Sequence, residues 1–178
     1  MIEQLNNPTS IRYQELKNKL LSNKVPFYYE NYSTKSVPLS DCPYGHSDIG
    51  FYAHTLLTRP EITRYSQQLS PVLDEFLGVF DEIIQFNNLS NNYYLLRACV
   101  NIVHPEVPRK ITIPHVDHDF DHKNMLIYLT NSGGETYVEG ESFDPKEDDI
   151  IVFDGEHYMR TPKTDRRVII VATFCNWQ

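Results

Sequence analysis

The sequence has few cysteines and no long apolar run. Its three cysteines, Cys42, Cys99 and Cys175, are odd in number and form no C-x-x-C pair, so they predict neither a disulfide framework nor a zinc ribbon. Nowhere do eighteen apolar residues follow one another, which argues against a membrane-spanning helix. Residues 1–20 contain no continuous apolar segment of the kind found in secretion signals. We therefore expect reduced thiols in a soluble, cytoplasmic protein.

Basic residues are scarce as well. The chain has 16 Lys and Arg against 24 Asp and Glu, a net charge of −8. Proteins that bind a phosphate backbone need a basic stripe, so this balance disfavours a nucleic-acid partner. At 178 residues, with 40% hydrophobic and 22% charged residues, the composition is typical of one folded domain. We expect a single domain over 1–178, with a helical and substrate-rim region at 1–92 and a core at 93–178.

Two segments have the spacing of amphipathic helices. In residues 10–21, Tyr13, Leu16 and Leu20 recur at helical intervals among polar residues. A second helix is predicted to begin at Ser70–Pro71, because Ser is a good cap and Pro fits a first turn, and to end at Asn87–Asn88. Both helices have one apolar face and therefore need a partner surface to cover it.

Residues 25–60 are rich in aromatic side chains without a clean period, which we interpret as short strands joined by loops. Tyr44, His46, Tyr52 and His54 are candidates for a rim that faces a substrate, because specificity often resides on loops over a rigid scaffold. The alternative is aromatic packing over the core. The sequence leaves both interpretations open.

From Tyr93 onward, short apolar runs alternate with turn signals. Gly133–Gly134 predicts a hairpin turn, and the last run is apolar on both faces, as in a strand that lines a barrel and is covered by helices. We predict a mainly β fold with flanking helices: a double-stranded β-helix, or jelly-roll barrel, with the N-terminal helices packed on one sheet. The predicted strands are Tyr93–Val103, Met125–Thr130, Glu135–Glu139, Asp149–Asp154 and Arg167–Phe174.

The triplet His115-Val116-Asp117 is the strongest candidate for a functional site. A strand sends residues i and i+2 to the same side, so an imidazole and a carboxylate can meet at one point. His157, 40 residues later, would complete a two-histidine, one-carboxylate set, whose open positions suit non-haem Fe(II) that must bind a cosubstrate and O₂ together. Taken alone, an H-x-D triplet is more often part of a solvated loop.

Two further residues could serve a dianionic cosubstrate. Arg167, ten residues after His157, would offer a planar fork of donors to a carboxylate, although the neighbouring Arg166 could point inward instead. Tyr128 lies in an otherwise aliphatic run, where a buried hydroxyl must find a partner. That partner is either a cosubstrate carboxylate or a backbone carbonyl of the core.

The order of these features resembles the 2-oxoglutarate and iron(II)-dependent oxygenases, especially the prolyl-4-hydroxylase-like branch, over about residues 93 to 175. The resemblance implies that His115, Asp117 and His157 bind iron and that Arg167, helped by Tyr128, binds the distal carboxylate of 2-oxoglutarate. Asn101 is similar to an asparagine that contacts 2-oxoglutarate in the nucleic-acid-demethylating branch. The motifs that carry the resemblance are His115-Val116-Asp117, Tyr128-Leu129-Thr130, Gly133-Gly134-Glu135-Thr136, Asp149–Phe153, His157 and Arg167.

The activity implied by the resemblance is a dioxygenase that hydroxylates a C–H bond with Fe(II), 2-oxoglutarate and O₂ and releases succinate and CO₂. A peptidyl proline, another protein side chain or a small molecule could be the substrate. Two alternatives remain: a non-catalytic, cupin-like metal-binding module, and a nucleic-acid demethylase on the same fold, which the net charge disfavours.

Overall fold

A computed structural model describes residues 1–31, 45–90 and 92–176. The helices are α1 Ile11–Leu21, α2 Pro60–Thr63 and α3 Val72–Phe86. The strands are β1 Glu3–Leu5, β2 Tyr28–Glu30, β3 Phe51–Leu57, β4 Tyr93–Val103, β5 Lys123–Tyr128, β6 Thr136–Val138, β7 Glu141–Phe143, β8 Ile150–Phe153, β9 His157–Met159 and β10 Arg167–Asn176. Among the described residues, none of the helices is long and apolar enough to span a membrane.

Both predicted long helices are confirmed. Ser10 caps α1, because its side chain accepts a hydrogen bond from the backbone N–H of Tyr13. Pro71 occupies the cap position of α3, and the hydroxyl of Ser70 accepts the N–H of Val72 at 3.2 Å. Asn87 ends α3, as the sequence indicates.

The larger sheet contains seven strands in the order β1-β8-β5-β10-β4-β3-β2, with every neighbouring pair antiparallel. The two long helices cover its outer face, so that side chains from α1, α3 and the sheet form the main core. β10 alternates cleanly between its two faces. The side chains that it turns toward the helices are Val168, Ile170, Ala172 and Phe174.

The smaller sheet contains three strands in the order β7-β6-β9. It lies over the inner face of the larger sheet, where a second and smaller core forms. This core consists of Cys99, Leu126, Tyr128, Val138, Ile151, Phe153, Ile169 and Val171. The fold is the predicted double-stranded β-helix with N-terminal helices packed on one sheet.

Two details of the sequence-based prediction need correction. The prediction of a hairpin at Gly133–Gly134 is wrong: both glycines have positive φ, 68° and 97°, but they connect β5 in the larger sheet to β6 in the smaller one. The sequence also gave no sign of β1, which pairs with β8 at the edge of the larger sheet. A three-residue strand is too short to show a period.

Candidate metal centre and pocket

The structure brings His115, Asp117 and His157 together. His115 and His157 exchange two backbone hydrogen bonds, of 3.0 and 2.9 Å, and their ring centres lie 4.5 Å apart. One potential ligand atom from each of the three side chains lies within 4.8 Å of the other two. His115 forms a single β-bridge with His157, and Asp117 lies in the loop that follows. The prediction that His115 and Asp117 share a strand was therefore wrong for Asp117.

Each histidine is oriented by a backbone carbonyl. The Nδ1 atom of His115 lies 3.2 Å from the oxygen of Ile113, and that of His157 lies 3.3 Å from the oxygen of Gly155. A carbonyl accepts, so each Nδ1 donates and each Nε2 keeps its lone pair for a metal. Burial lowers the pKa of His157 to about 4, which keeps this ring in the neutral form that a metal requires.

Two arginines that the sequence analysis missed hold Asp117. Its Oδ1 accepts hydrogen bonds from Arg59 at 2.6 Å and from Arg97 at 2.8 Å, and Arg59 also donates to its backbone oxygen. Burial alone would raise the pKa of Asp117, but the charges of Arg97 and Arg59 outweigh it and hold that pKa well below its usual range. Asp117 is therefore ionised, and its Oδ2 is left toward His157, 3.5 Å from Nε2.

The loop that carries Asp117 is fixed from two sides. The next residue, His118, is buried, and its Nδ1 contacts the carboxylate of Glu61 in α2. Its Nε2 lies 2.8 Å from the hydroxyl of Thr173 in β10. Because both ring nitrogens have partners, His118 serves to hold the loop in place.

The donor set fits a non-haem iron site. Two imidazoles and one ionised carboxylate converge on one space, which is the ligand combination that Fe(II) takes when positions must stay open for other ligands. These three residues could hold the metal while the backbone carbonyls and the arginines fix the orientation of their side chains.

A pocket with about 100 Å³ of room extends from these three residues along the inner face of the larger sheet. Arg167, at the start of β10, lines it and is only 2% exposed, whereas Arg166 is exposed on the protein surface. Arg167 donates to the hydroxyl of Thr136 at 3.0 Å and contacts the sulfur of Met159 at 3.1 Å, and its Nε has no partner. Within residues 1–31, 45–90 and 92–176, no carboxylate pairs with it.

Tyr128 lies beside Arg167, whereas Asn101 lies in the pocket wall. Tyr128 packs against Arg167, with the guanidinium carbon 5.2 Å from its ring centre, and its hydroxyl lies 2.8 Å from that of Thr136. The buried hydroxyl therefore has a side-chain partner within the protein, and not the core backbone carbonyl that was one of the two sequence-based interpretations. Asn101 lines the pocket from β4 and contacts the thiol of Cys99 at 3.4 Å.

Of the predicted rim residues, the three that the structure describes do not form one surface. Tyr44 lies outside the described residues. His54 is buried, with its ring nitrogens 2.8 Å from the oxygen of Pro26 and 2.9 Å from the hydroxyl of Ser70, so it belongs to the core. Tyr52 points the same way as His54 and packs edge-on against Tyr29.

The pocket is instead approached from the other face of β3 and from the smaller sheet. Ile49, Phe51 and Tyr158 line it, and His46 packs edge-on against Tyr158 with ring centres 5.1 Å apart. Sequence alternation identifies the two faces of β3 but does not say which one is turned inward.

No protein-family model matches the sequence, and no curated protein matches it significantly. Solved structures do match the fold. An oxidoreductase of the 2OG-Fe(II) oxygenase family from Burkholderia pseudomallei is 14% identical, with a TM-score of 0.65 over 98% of this chain and 86% of its own. A prolyl hydroxylase from Trichoplax adhaerens, solved with a peptide fragment of hypoxia inducible factor, is 14% identical, with a TM-score of 0.57 over 98% and 83%.

A prolyl-4-hydroxylase from Pseudomonas putida is 13% identical, with a TM-score of 0.52 over 99% of this chain and 93% of its own. At such low identities the likeness concerns the fold. It confirms, at that level, the resemblance found in the sequence: the chain has the double-stranded β-helix of the 2-oxoglutarate and iron(II)-dependent oxygenases.

Proposed function

We propose that this protein is a 2-oxoglutarate and Fe(II)-dependent dioxygenase that hydroxylates a C–H bond and releases succinate and CO₂. His115, Asp117 and His157 would hold the iron, since their free donor atoms converge and their orientation is fixed from behind. The bound iron would supply the activation of O₂, which no side chain can perform.

The observation that carries this proposal is the buried charge of Arg167, which pairs with no carboxylate in the described part of the chain. Burial lowers the pKa of its guanidinium, but an arginine remains protonated at neutral pH. A buried cation without an anion costs several kcal/mol, on the order of the penalties measured for broken ion pairs. The carboxylate of a bound dianion would satisfy it. A purely structural metal site, as in the cupin-like alternative, gives no reason for such an arginine.

The residues of the pocket would position the cosubstrate. Arg167 would bind the distal carboxylate of 2-oxoglutarate bidentately, with Thr136 and Tyr128 keeping the guanidinium in place. Asn101, between this end and the metal ligands, would hydrogen-bond the cosubstrate from the side. The apolar side chains of Ile169 and Val171 would exclude water from the reacting end.

The substrate would lie at the open side of the pocket, near Phe51 and Tyr158. A peptidyl proline is a candidate because two proteins of the same fold are prolyl hydroxylases. Another protein side chain or a small metabolite would fit the same chemistry. The net charge of −8 argues against the nucleic-acid demethylase alternative.

The test is metal-dependent turnover of the cosubstrate. Protein stripped of metal should form no succinate from 2-oxoglutarate, added Fe(II) should restore slow succinate formation in the presence of O₂, and His157→Ala should abolish it. The exposed His104 offers a matched control, since His104→Ala should leave the rate unchanged. Absence of succinate at saturating Fe(II), together with absence of 2-oxoglutarate binding, would rule out the proposed activity in favour of a metal-binding module.

A further inference from the structure

Arg167 reaches from the larger sheet to the smaller one, where it contacts two residues on neighbouring strands. Thr136 in β6 and Met159 in β9 are direct partners across these strands. The hydroxyl of Thr136 accepts a guanidinium N–H of Arg167 at 3.0 Å, and the sulfur of Met159 lies 3.1 Å from its Nη1. Met159 therefore places a thioether directly beside the arginine that would bind the cosubstrate.

A thioether is a weak partner for a buried cation, because sulfur accepts hydrogen bonds poorly. The Nε atom of Arg167 has no partner at all in the described part of the chain. This guanidinium therefore keeps donor capacity that a stronger acceptor could use. Oxidation would create such an acceptor on Met159 itself, since it converts the apolar thioether into a sulfoxide with a polar oxygen.

Met159 is also the methionine that an oxidant can reach inside the pocket. The sequence contains three methionines. Met125 is fully buried in the main core, and Met1 is 79% exposed, but neither of them lines the pocket. Met159 is half-buried and does line it, so a small oxidant in the pocket has access to its sulfur. Because susceptibility to oxidation follows exposure, Met159 should react well before Met125.

We propose that Met159 is a site of oxidation by hydrogen peroxide and that its sulfoxide prevents 2-oxoglutarate from binding to Arg167. This inference rests on the proposed function, because it concerns the same carboxylate site. In the reaction the sulfur gives two electrons to the peroxide, an S–O bond forms, the O–O bond breaks, and the second oxygen leaves as water. The new oxygen would accept a hydrogen bond from Nη1 and occupy space that the distal carboxylate needs, in a pocket with about 100 Å³ of room.

The experiment begins with metal-free protein, so that the peroxide meets no iron. Peroxide is then removed with catalase, the thiols are reduced, and peptide mass spectrometry locates each added oxygen. Calorimetric titration of 2-oxoglutarate follows, with Mn(II) and without O₂. We expect Met159 to be oxidised and Met125 to be unmodified. The affinity of the oxidised wild type should be lower by roughly tenfold or more, which is the contribution of one charge-assisted hydrogen bond.

Met159→Leu is the matched control, because leucine has a similar volume and no sulfur. The same treatment should leave the affinity of this variant at its value before treatment. Unchanged affinity in wild-type protein whose Met159 is fully oxidised would overturn the inference. An equal loss in Met159→Leu would also overturn it, because the damage would then lie at another residue. So would oxidation of Met1 without oxidation of Met159.

Failure of the proposed function gives a different pattern, in which the untreated protein already binds no 2-oxoglutarate. The contact between the sulfoxide and Arg167 is then tested by thermal unfolding, which needs no ligand. Oxidation should lower the melting temperature of Arg167→Ala more than that of the wild type, because the polar oxygen then lacks its guanidinium donor. Equal lowering in the two proteins would contradict the contact. If Arg167→Ala does not fold, as judged by circular dichroism, Arg167→Leu supplies the same comparison.

Discussion

The two faces of β10 differ in the environment of their side chains: one is packed into the main core, and the other lines the pocket. Toward the helices, Val168, Ile170 and Phe174 pack into the main core and need nothing but burial. Toward the pocket, the same strand places Arg167 beside Ile169 and Val171. In the described part of the chain, only two buried side-chain polar atoms lack a partner, Nε of Arg167 and Oδ1 of Asn124. The helix face thus supplies stability, and the pocket face retains unsatisfied polarity for a ligand.

The largest effect is expected from Asp117→Ala, which changes both the metal site and the ion pairs beside it. It removes the anionic metal ligand and leaves Arg59 and Arg97 without their carboxylate. Breaking a buried pair in this way costs about 3–5 kcal/mol of stability. Metal affinity should be lost, and urea unfolding should show the stability change.

Asp117→Asn is the matched control, since its amide oxygen can still accept hydrogen bonds from both arginines. It should lose metal affinity like Asp117→Ala but retain more stability. Full metal binding by either variant would contradict the assignment of Asp117 as a ligand.

Substitutions in the main core should have the opposite effect, a loss of stability without a loss of metal affinity. Phe80 is fully buried and packs against Phe76, Tyr93 and Phe174 with ring centres 5.0–5.7 Å apart. Phe80→Ala should cost about 3–5 kcal/mol of stability, because it leaves a cavity. The metal affinity of the protein that remains folded should stay unchanged.

On the same helix, Phe86 is 58% exposed, so Phe86→Ala should change stability by less than about 0.5 kcal/mol. A loss of metal affinity in Phe80→Ala, at a temperature where it is fully folded, would show that the two faces are not separate in function.

Arg167→Ala should act on the cosubstrate rather than on the metal. Removing one member of a desolvated ion pair costs about 2–5 kcal/mol, so the apparent KM for 2-oxoglutarate should rise by roughly 30-fold or more. Fe(II) affinity should change little, because Arg167 touches none of the three metal ligands. Arg166→Ala, on the surface, should leave both quantities unchanged, and the reverse ranking would move the carboxylate site to Arg166.

The smallest effect concerns the outside of the smaller sheet. Glu135 accepts hydrogen bonds from Arg109 at 2.6 Å and lies 3.2 Å from Lys163. Burial raises the pKa of Glu135, but these two cations outweigh it and lower the pKa to about 2, from an ordinary value of 4.5. Its ionised form therefore stabilises the fold fully above pH 4.5, and this contribution is lost as the pH falls toward 2.

For a pair of this exposure the contribution is about 1 kcal/mol. Urea unfolding of the wild type and Glu135→Gln should show that difference at pH 6 and a smaller one at pH 3. A difference that does not depend on pH would mean that the Glu135 ion pairs contribute nothing.

The sequence predicted the pattern of elements well wherever a period was long enough to read. Tyr93–Val103 has the predicted bounds of β4, and the apolar last strand lies between two cores, as expected for a strand covered on both faces. The triplet and His157 also meet as predicted. The strand bounds and the two-sided burial depend on local alternation, which can be read directly from the sequence, whereas the triplet and His157 meet through a bridge between distant segments.

What the sequence did not predict depends on contacts between distant segments. Arg59 contacts Asp117 across 58 residues, and no local sequence pattern predicts this contact. Arg97 could have been suspected, because it is a charged residue inside the apolar run of β4. The inward choice of Phe51 over Tyr52 on β3 is set by pairing with β4 and not by the period of the strand itself.

The most direct test of the central claim is calorimetric titration of 2-oxoglutarate into protein with and without Mn(II), in the absence of oxygen, for the wild type and Arg167→Ala. We predict one binding site in the metal-loaded wild type, with affinity lower by roughly 30-fold or more when the Arg167 guanidinium is removed and by roughly tenfold or more when the metal is removed. Equal affinity in the wild type and Arg167→Ala, or binding that ignores the metal, would contradict a pocket built between Arg167 and the His115, Asp117 and His157 set.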